Sequence, residues 1–169
     1  MKTTKLFYGI ALALTFGLAA MLKAQDIYVV NGGNNTIGEY TIAGSTVHAS
    51  LISGVDDPEG IAISGNDLFV LNYGDGTVGE YTTSGATVNA SLISGLSSPG
   101  GIGILGSDLF VVNQSTDAVG EYTTAGGTVN ASLISGLDIP VDLAISPAPE
   151  PSACALASLG MAALWRRRK

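Results

Sequence analysis

The side chains of this chain that could do chemistry are its carboxylates. Glu39, Glu80 and Glu121 each sit in a Gly-Glu-Tyr triplet, and the three triplets are evenly spaced along the chain. Three carboxylates at one structural position suggest a ring of hard oxygen donors, the ligand type that suits Ca²⁺. Equivalent positions of successive units lie well apart, so the expected role of these glutamates is surface solvation and protection of strand edges. Glu59 and Asp142 differ, because they break the repeat. Gly100 and Val141 occupy the place of Glu59, and Gly60 and Gly101 that of Asp142. A departure from a repeat is where a specific site would arise. With Asp56 and Asp57 close by in sequence, Glu59 and Asp142 are the candidates for a divalent cation such as Ca²⁺, against ordinary drift as the simpler account. His48, the one histidine, takes the place of Asn89 and Asn130 and reads as a drifted surface position. No nucleophile–base arrangement accompanies it, so no catalytic residue is assigned and enzymatic activity is not expected.

The elements that must hold these residues repeat with the same period. Ala-Ser-Leu-Ile-Ser-Gly begins at Ala49, Ala90 and Ala131, and Asp26–Asn31 matches Asp67–Asn72 and Asp108–Asn113 at that same spacing. A fixed period of about 40 residues implies a stacked or toroidal array. Within one unit, Gly60–Ser64, Asp67–Asn72, Thr77–Thr83 and Thr87–Ser94 read as four short strands. They are rich in β-branched and aromatic residues and separated by Gly65-Asn66, Tyr73–Gly76 and Ser84-Gly85. In the third strand Val78 and Glu80 share one face, and Gly79 and Tyr81 the other. No segment of this middle region has helical periodicity. Four short strands per repeat describe a β-propeller blade.

Pro58-Glu59-Gly60-Ile61-Ala62-Ile63, Asp67-Leu68-Phe69-Val70 and Thr77-Val78-Gly79-Glu80-Tyr81 resemble the blades of NHL-type six-bladed propellers. The resemblance covers Asp26–Ser146. WD-type blades fit less well, since no Trp-Asp pair occurs, and a β-solenoid usually has a shorter period. Some propellers of lactonase and lyase type use channel histidines and carboxylates with a metal, so a metal-dependent lactonase or lyase-like enzyme is the alternative function class. The fold class expected is all-β: three four-stranded, 41-residue blades, a partial or oligomer-completed propeller flanked by an N-terminal signal helix and a C-terminal hydrophobic helix.

The strand count sets a problem. The region starts at a second strand, Asp26, and stops after a first strand, Val141–Ser146. Three blades would each span a third of a turn, whereas propellers typically hold about four to eight. The last strand could complete the first blade of its own chain. Alternatively two chains pair as a homodimer to complete a six-bladed ring, since an open arc leaves two blade faces bare.

Two other repeated features have structural explanations. Thr41, Thr82 and Thr123 suggest an ice-binding lattice, but threonines on separate, rotated blades do not make one flat face. Asn34-Asn35-Thr36, Asn89-Ala90-Ser91, Asn113-Gln114-Ser115 and Asn130-Ala131-Ser132 match the glycosylation sequon and read as by-products of the repeat.

The ends carry an address. All seven Lys and Arg residues lie in them, and all fourteen acids fall within Asp26–Glu150. The stretch between Lys23 and Arg166 therefore carries −14 within a formal net charge of −7. Such a surface repels phosphate backbones, so no nucleic-acid partner is expected. Lys2 and Lys5, then the apolar run Leu6–Leu22 and Leu22-Lys23-Ala24, read as a secretory signal peptide over 1–24. The repeat domain occupies 25–147 and the tail 148–169. The single cysteine, Cys154, lies in the tail, so no disulfide is expected in the repeats.

In the tail, Pro149-Glu150-Pro151-Ser152 precedes an apolar run from Ala153 to Trp165 and the basic cluster Arg166-Arg167-Arg168-Lys169. As a helix this run would be roughly 20 Å long against a hydrocarbon core of about 30 Å. Trp165 suits the interface and the arginines the cytoplasmic side. The tail resembles the PEP-CTERM sorting signal of Gram-negative bacteria. The resemblance implies an exosortase-type processing enzyme as partner, inner-membrane association through the tail before processing, and export to the cell envelope, outer surface or extracellular matrix. The apolar part is shorter and richer in Ala than is usual in that family. The expected function is a structural or binding role at the cell surface or in the exopolysaccharide matrix.

Overall fold

The computed structural model describes residues 25–146. The signal segment, the PEP-CTERM-like tail, Cys154, all seven basic residues and both expected terminal helices lie outside the described residues.

Eleven strands form three antiparallel sheets, and no α-helix occurs among the described residues. The first sheet has three strands, β1 (Asp26–Asn31), β2 (Thr36–Thr41) and β3 (Thr46–Ser53). The second has four, β4 (Pro58–Ser64), β5 (Asp67–Asn72), β6 (Thr77–Thr82) and β7 (Thr87–Ile93). The third repeats it with β8 (Pro99–Leu105), β9 (Asp108–Asn113), β10 (Ala118–Thr123) and β11 (Thr128–Ser135). Strands pair in chain order within each sheet, as in a meander. Short 3₁₀ turns, Gly32–Asn34 and Gln114–Thr116, connect β1 to β2 in the first sheet and β9 to β10 in the third.

The sheets stack face to face. One apolar cluster joins the first sheet to the second through Ile37, Ile52 and Val55 against Leu68, Val70 and Tyr81. Another joins the second to the third through Phe69, Leu71, Val78 and Ile93 against Leu109, Val111 and Tyr122. The two interfaces correspond at a shift of one repeat: Ile37 becomes Val78, Ile52 becomes Ile93, Leu68 becomes Leu109, Tyr81 becomes Tyr122. β1 lies against β4 and β4 against β8, so the inner strands line one side of the stack.

The Gly-Glu-Tyr triplet has a packing origin. Residues two apart on a strand share a face, and each tyrosine ring folds back over the glycine of its own triplet. A Cβ at Gly38, Gly79 or Gly120 would sit 2.8, 2.7 and 2.7 Å from the Tyr40, Tyr81 and Tyr122 rings respectively. At Gly79 it would also lie 3.0 Å from the Ala90 carbonyl oxygen.

One expected strand is not formed. Val141–Ser146 makes no ladder among the described residues. Its approach nevertheless follows the repeat. Ile139 has φ 45°, as Asp57 has 47° and Ser98 48°. Leu137 N–H donates to the Asp117 carbonyl at 3.0 Å, as Leu96 N–H donates to that of Gly76 at 3.0 Å. The segment then runs alongside β8, with the Cβ direction of Gly101 meeting the Asp142 Cα at 2.7 Å. It occupies the place of the next inner strand, with no second strand to hold it.

Gly79→Ala is expected to lower the unfolding free energy by about 1–3 kcal/mol through overpacking. Urea denaturation of Gly79→Ala beside Gly65→Ala measures this, because Gly65 has open space at its Cβ but a left-handed φ of 61°. The second variant separates backbone strain from the ring clash.

Candidate binding cleft at the inner strands

The inner-strand segments 59–61, 100–102 and 141–143, with Val30 of β1, line a cleft of about 520 Å³. Val30 reaches it because the first sheet has no strand inside β1 among the described residues. The wall is glycine and aliphatic apart from two carboxylates, Glu59 and Asp142. The two residues that interrupt the repeat thus do line one cavity. They stand on either side of β8, with Gly100 and Gly101 between them. Asp57, Ser98 and Ile139 repeat a left-handed turn just before each inner segment, which aims all three segments the same way. For Ile139 this φ is strained, since a β-branched side chain disfavours it.

The other singled-out residues lie elsewhere. Asp56 sits over the β5–β6 turn, where its carboxylate would meet a Cβ on Gly74 at 2.6 Å. His48 is on outer strand β3, and its Nδ1 lies 2.7 Å from Glu39 Oε2. Tyr28 donates its hydroxyl to Glu39 Oε1 at 3.4 Å and reaches the Thr83 carbonyl on the next sheet at 3.3 Å. Burial first, then the Glu39 charge, pushes the Tyr28 hydroxyl above its ordinary range.

The expected role of the recurrent glutamates needs correcting. They lie on β2, β6 and β10, each flanked by a strand on both sides, so they do not protect sheet edges. Glu39 is buried and paired. Glu80 faces Asn89 where Glu39 faces His48. Desolvation, and then repulsion from Asp67, raise the Glu80 carboxyl above its ordinary 4.5.

The recurrent Thr and Asn residues close turns. Thr41, Thr82 and Thr123 accept the backbone N–H of Ser45, Ala86 and Gly127 through their hydroxyls at 3.1, 3.1 and 3.0 Å. Asn89 and Asn130 accept the N–H of Ser91 and Ser132 at 3.1 and 3.0 Å. Self-bonding side chains of this kind shape irregular backbone, and here they accompany the register shifts between β6 and β7 and between β10 and β11.

A Ca²⁺ site built from side chains alone does not fit. No group of three or more His, Cys, Asp or Glu converges among the described residues, whereas Ca²⁺ takes about six to eight oxygens.

No family model matches the chain, and no curated protein is similar to it. Solved propeller structures are similar. The computationally designed Ika8 protein is 16% identical with a TM-score of 0.57, over 75% of this chain and 39% of that one. The designed Ika4 protein is 10% identical with a TM-score of 0.50, over 72% and 74%. Streptogramin B lyase is 22% identical with a TM-score of 0.52, over 72% of this chain and 45% of that one. The chain thus spans about two-fifths of the length of Ika8. At these identities the likeness concerns the fold: this is an all-β, propeller-like stack of blades.

The raised Glu80 carboxyl has a pH consequence. Its ionised form is disfavoured in the fold, so the stabilising contribution is complete below pH 4.5 and is lost as pH rises through the folded pKa. Glu80→Gln is therefore expected to be more stable than the parent at pH 7, with the gap closing on acidification. Thermal unfolding of both proteins from pH 7 down to pH 4 checks the sign.

Proposed function

We propose that this is an exported binding or structural protein of the bacterial cell surface or matrix, sorted through residues 148–169. The observation that carries the binding role is the cleft on the inner strands. It is walled by glycines that leave backbone open to a ligand, with Glu59 and Asp142 as its two charged groups. A concave, largely preformed site with few polar groups is the usual form of a ligand pocket. The sorting role is supported by Pro149-Glu150-Pro151-Ser152, the apolar run and the basic end, in that order. An exosortase-type enzyme would process the tail after the signal peptide has directed export.

A lyase-like enzyme is the second reading, favoured by the likeness to streptogramin B lyase. Turnover of a lactone by the purified full chain with added Mg²⁺ or Ca²⁺, abolished by Asp142→Asn or Glu59→Gln, would establish it. Under the binding reading neither the parent nor the variants turn over.

For sorting, the expected outcome is a mature form that lacks Arg166–Lys169 and is found outside the inner membrane. Replacing Pro149, Glu150 and Pro151 together by Ala should leave the intact tail in the inner-membrane fraction. Mass spectrometry of the C-terminal peptide in each fraction reads both. The repeats contain no Lys or Arg between Lys23 and Arg166, so trypsin releases them as one fragment.

A further inference from the structure

We propose that residues 141–146 of one chain form the missing inner strand of the first sheet of a second copy, and that two copies thereby close a six-bladed ring. The two ends of the stack are each one half of an interface already present twice inside the chain. At internal interfaces Leu68 and Val70 are fully buried by the preceding sheet. Their counterparts one repeat earlier, Ile27 and Val29, are 47% and 37% exposed. At the other end, Leu133 and Ile134 are 43% and 50% exposed, whereas Ile52 and Ile93 at the position of Ile134 are 3% and 4% exposed. On the same face Val112 and Val119 are 0% and 7% exposed, so the bare part of the third sheet lies along β11. That part is the kind of surface that covers Leu68 and Leu109, and the bare face of the first sheet is the kind it covers.

The backbone is complementary in the same way. β1 pairs with β2 alone, so its other edge offers free hydrogen-bonding groups. Val141–Ile145 makes no backbone ladder among the described residues, yet lies where the inner strand of a fourth sheet belongs. The pairing of β4 with β5 fixes the register. Ile61↔Val70, Ala62↔Phe69 and Ile63↔Leu68 transpose to Leu143↔Val29, Ala144↔Tyr28 and Ile145↔Ile27 of the second copy.

Stoichiometry follows from ring size. The described residues of each copy supply three sheets, and closed propellers typically hold about four to eight blades, so two copies fit and three do not. The relation is a two-fold axis, with the first sheet of each copy meeting the third of the other. Sheets of four strands about 4.8 Å apart and about 17 Å long bury about 1,200 Å² in total over the two contacts, the lower end for a specific stable dimer. The cleft lined by Val30 and 141–143 is completed only when the partner supplies its share of the wall.

The test is disulfide trapping in the purified full chain carrying Cys154→Ser. Val29→Cys with Leu143→Cys, and separately Tyr28→Cys with Ala144→Cys, are oxidised and resolved without reductant. Adjacent antiparallel pairs alternate in spacing, so one of the two suits a disulfide. The expected result is a covalent dimer with no free thiol, absent from each single-cysteine variant, and a parent that sediments as two chains. A disulfide-bonded monomer means that the last strand closes on its own chain and overturns the proposal. So does a parent that sediments as one chain, or cross-linking by a single-cysteine variant alone.

Discussion

A sheet that is apolar on both faces cannot be the end of anything. The middle sheet here buries one face through Leu68, Val70 and Tyr81 and the other through Phe69, Leu71, Val78 and Ile93. Burial at about 25 cal/mol per Å² makes each such contact worth several kcal/mol before ordering costs. Stacking is thus enforced by the sequence of one unit. Where stacking stops, the same residues become a liability. Among the described residues, Ile27 and Val29 at one end and Leu133 and Ile134 at the other are left exposed in this way.

The period made the fold legible. Strand positions, the turn residues and the shared face of Gly79 and Tyr81 all follow from aligning the chain with itself, one unit against the next. The reason for the glycine did not follow, because period-2 alternation says which residues share a face and not that a ring lies flat on its neighbour. The threonines were equally opaque. Thr82 reads as a surface β-former until its hydroxyl is seen to accept the Ala86 N–H and so fix the β6–β7 turn.

The cleft was half visible. Asp142 stood out because it interrupts a glycine column, and Glu59 because it stands where the later units have Gly100 and Val141; both line the same cavity. Val30 did not stand out, since as part of β1 it matches Leu71, a buried residue of the second sheet. It reaches the cleft only through what is missing beside it. Val141–Ser146 reads as a strand and is not one, for the converse reason. Its sequence is that of an inner strand, but an inner strand is held by its outer neighbour, and no neighbour occupies that position among the described residues.

Charge places a further demand on this arrangement. With no Lys or Arg between Lys23 and Arg166, the acids of the repeats cannot be paired within them. The exception is Glu39, which is buried against His48 and Tyr28. At the equivalent place Glu80 has Asn89 opposite, and desolvation, then the charge of Asp67, push its carboxyl up. The first sheet thus gives its buried glutamate partners that the half-buried glutamate of the second lacks. The difference lies in the two positions, His48 and Tyr28, where the first unit departs from Asn and Phe. Cohesion in such a body has to come from apolar faces and backbone ladders, since mutual repulsion of the acids works against it. The same repulsion opposes a second copy of the chain, so the proposed pairing would have to draw on the apolar faces and the strand edge at the two ends of the stack.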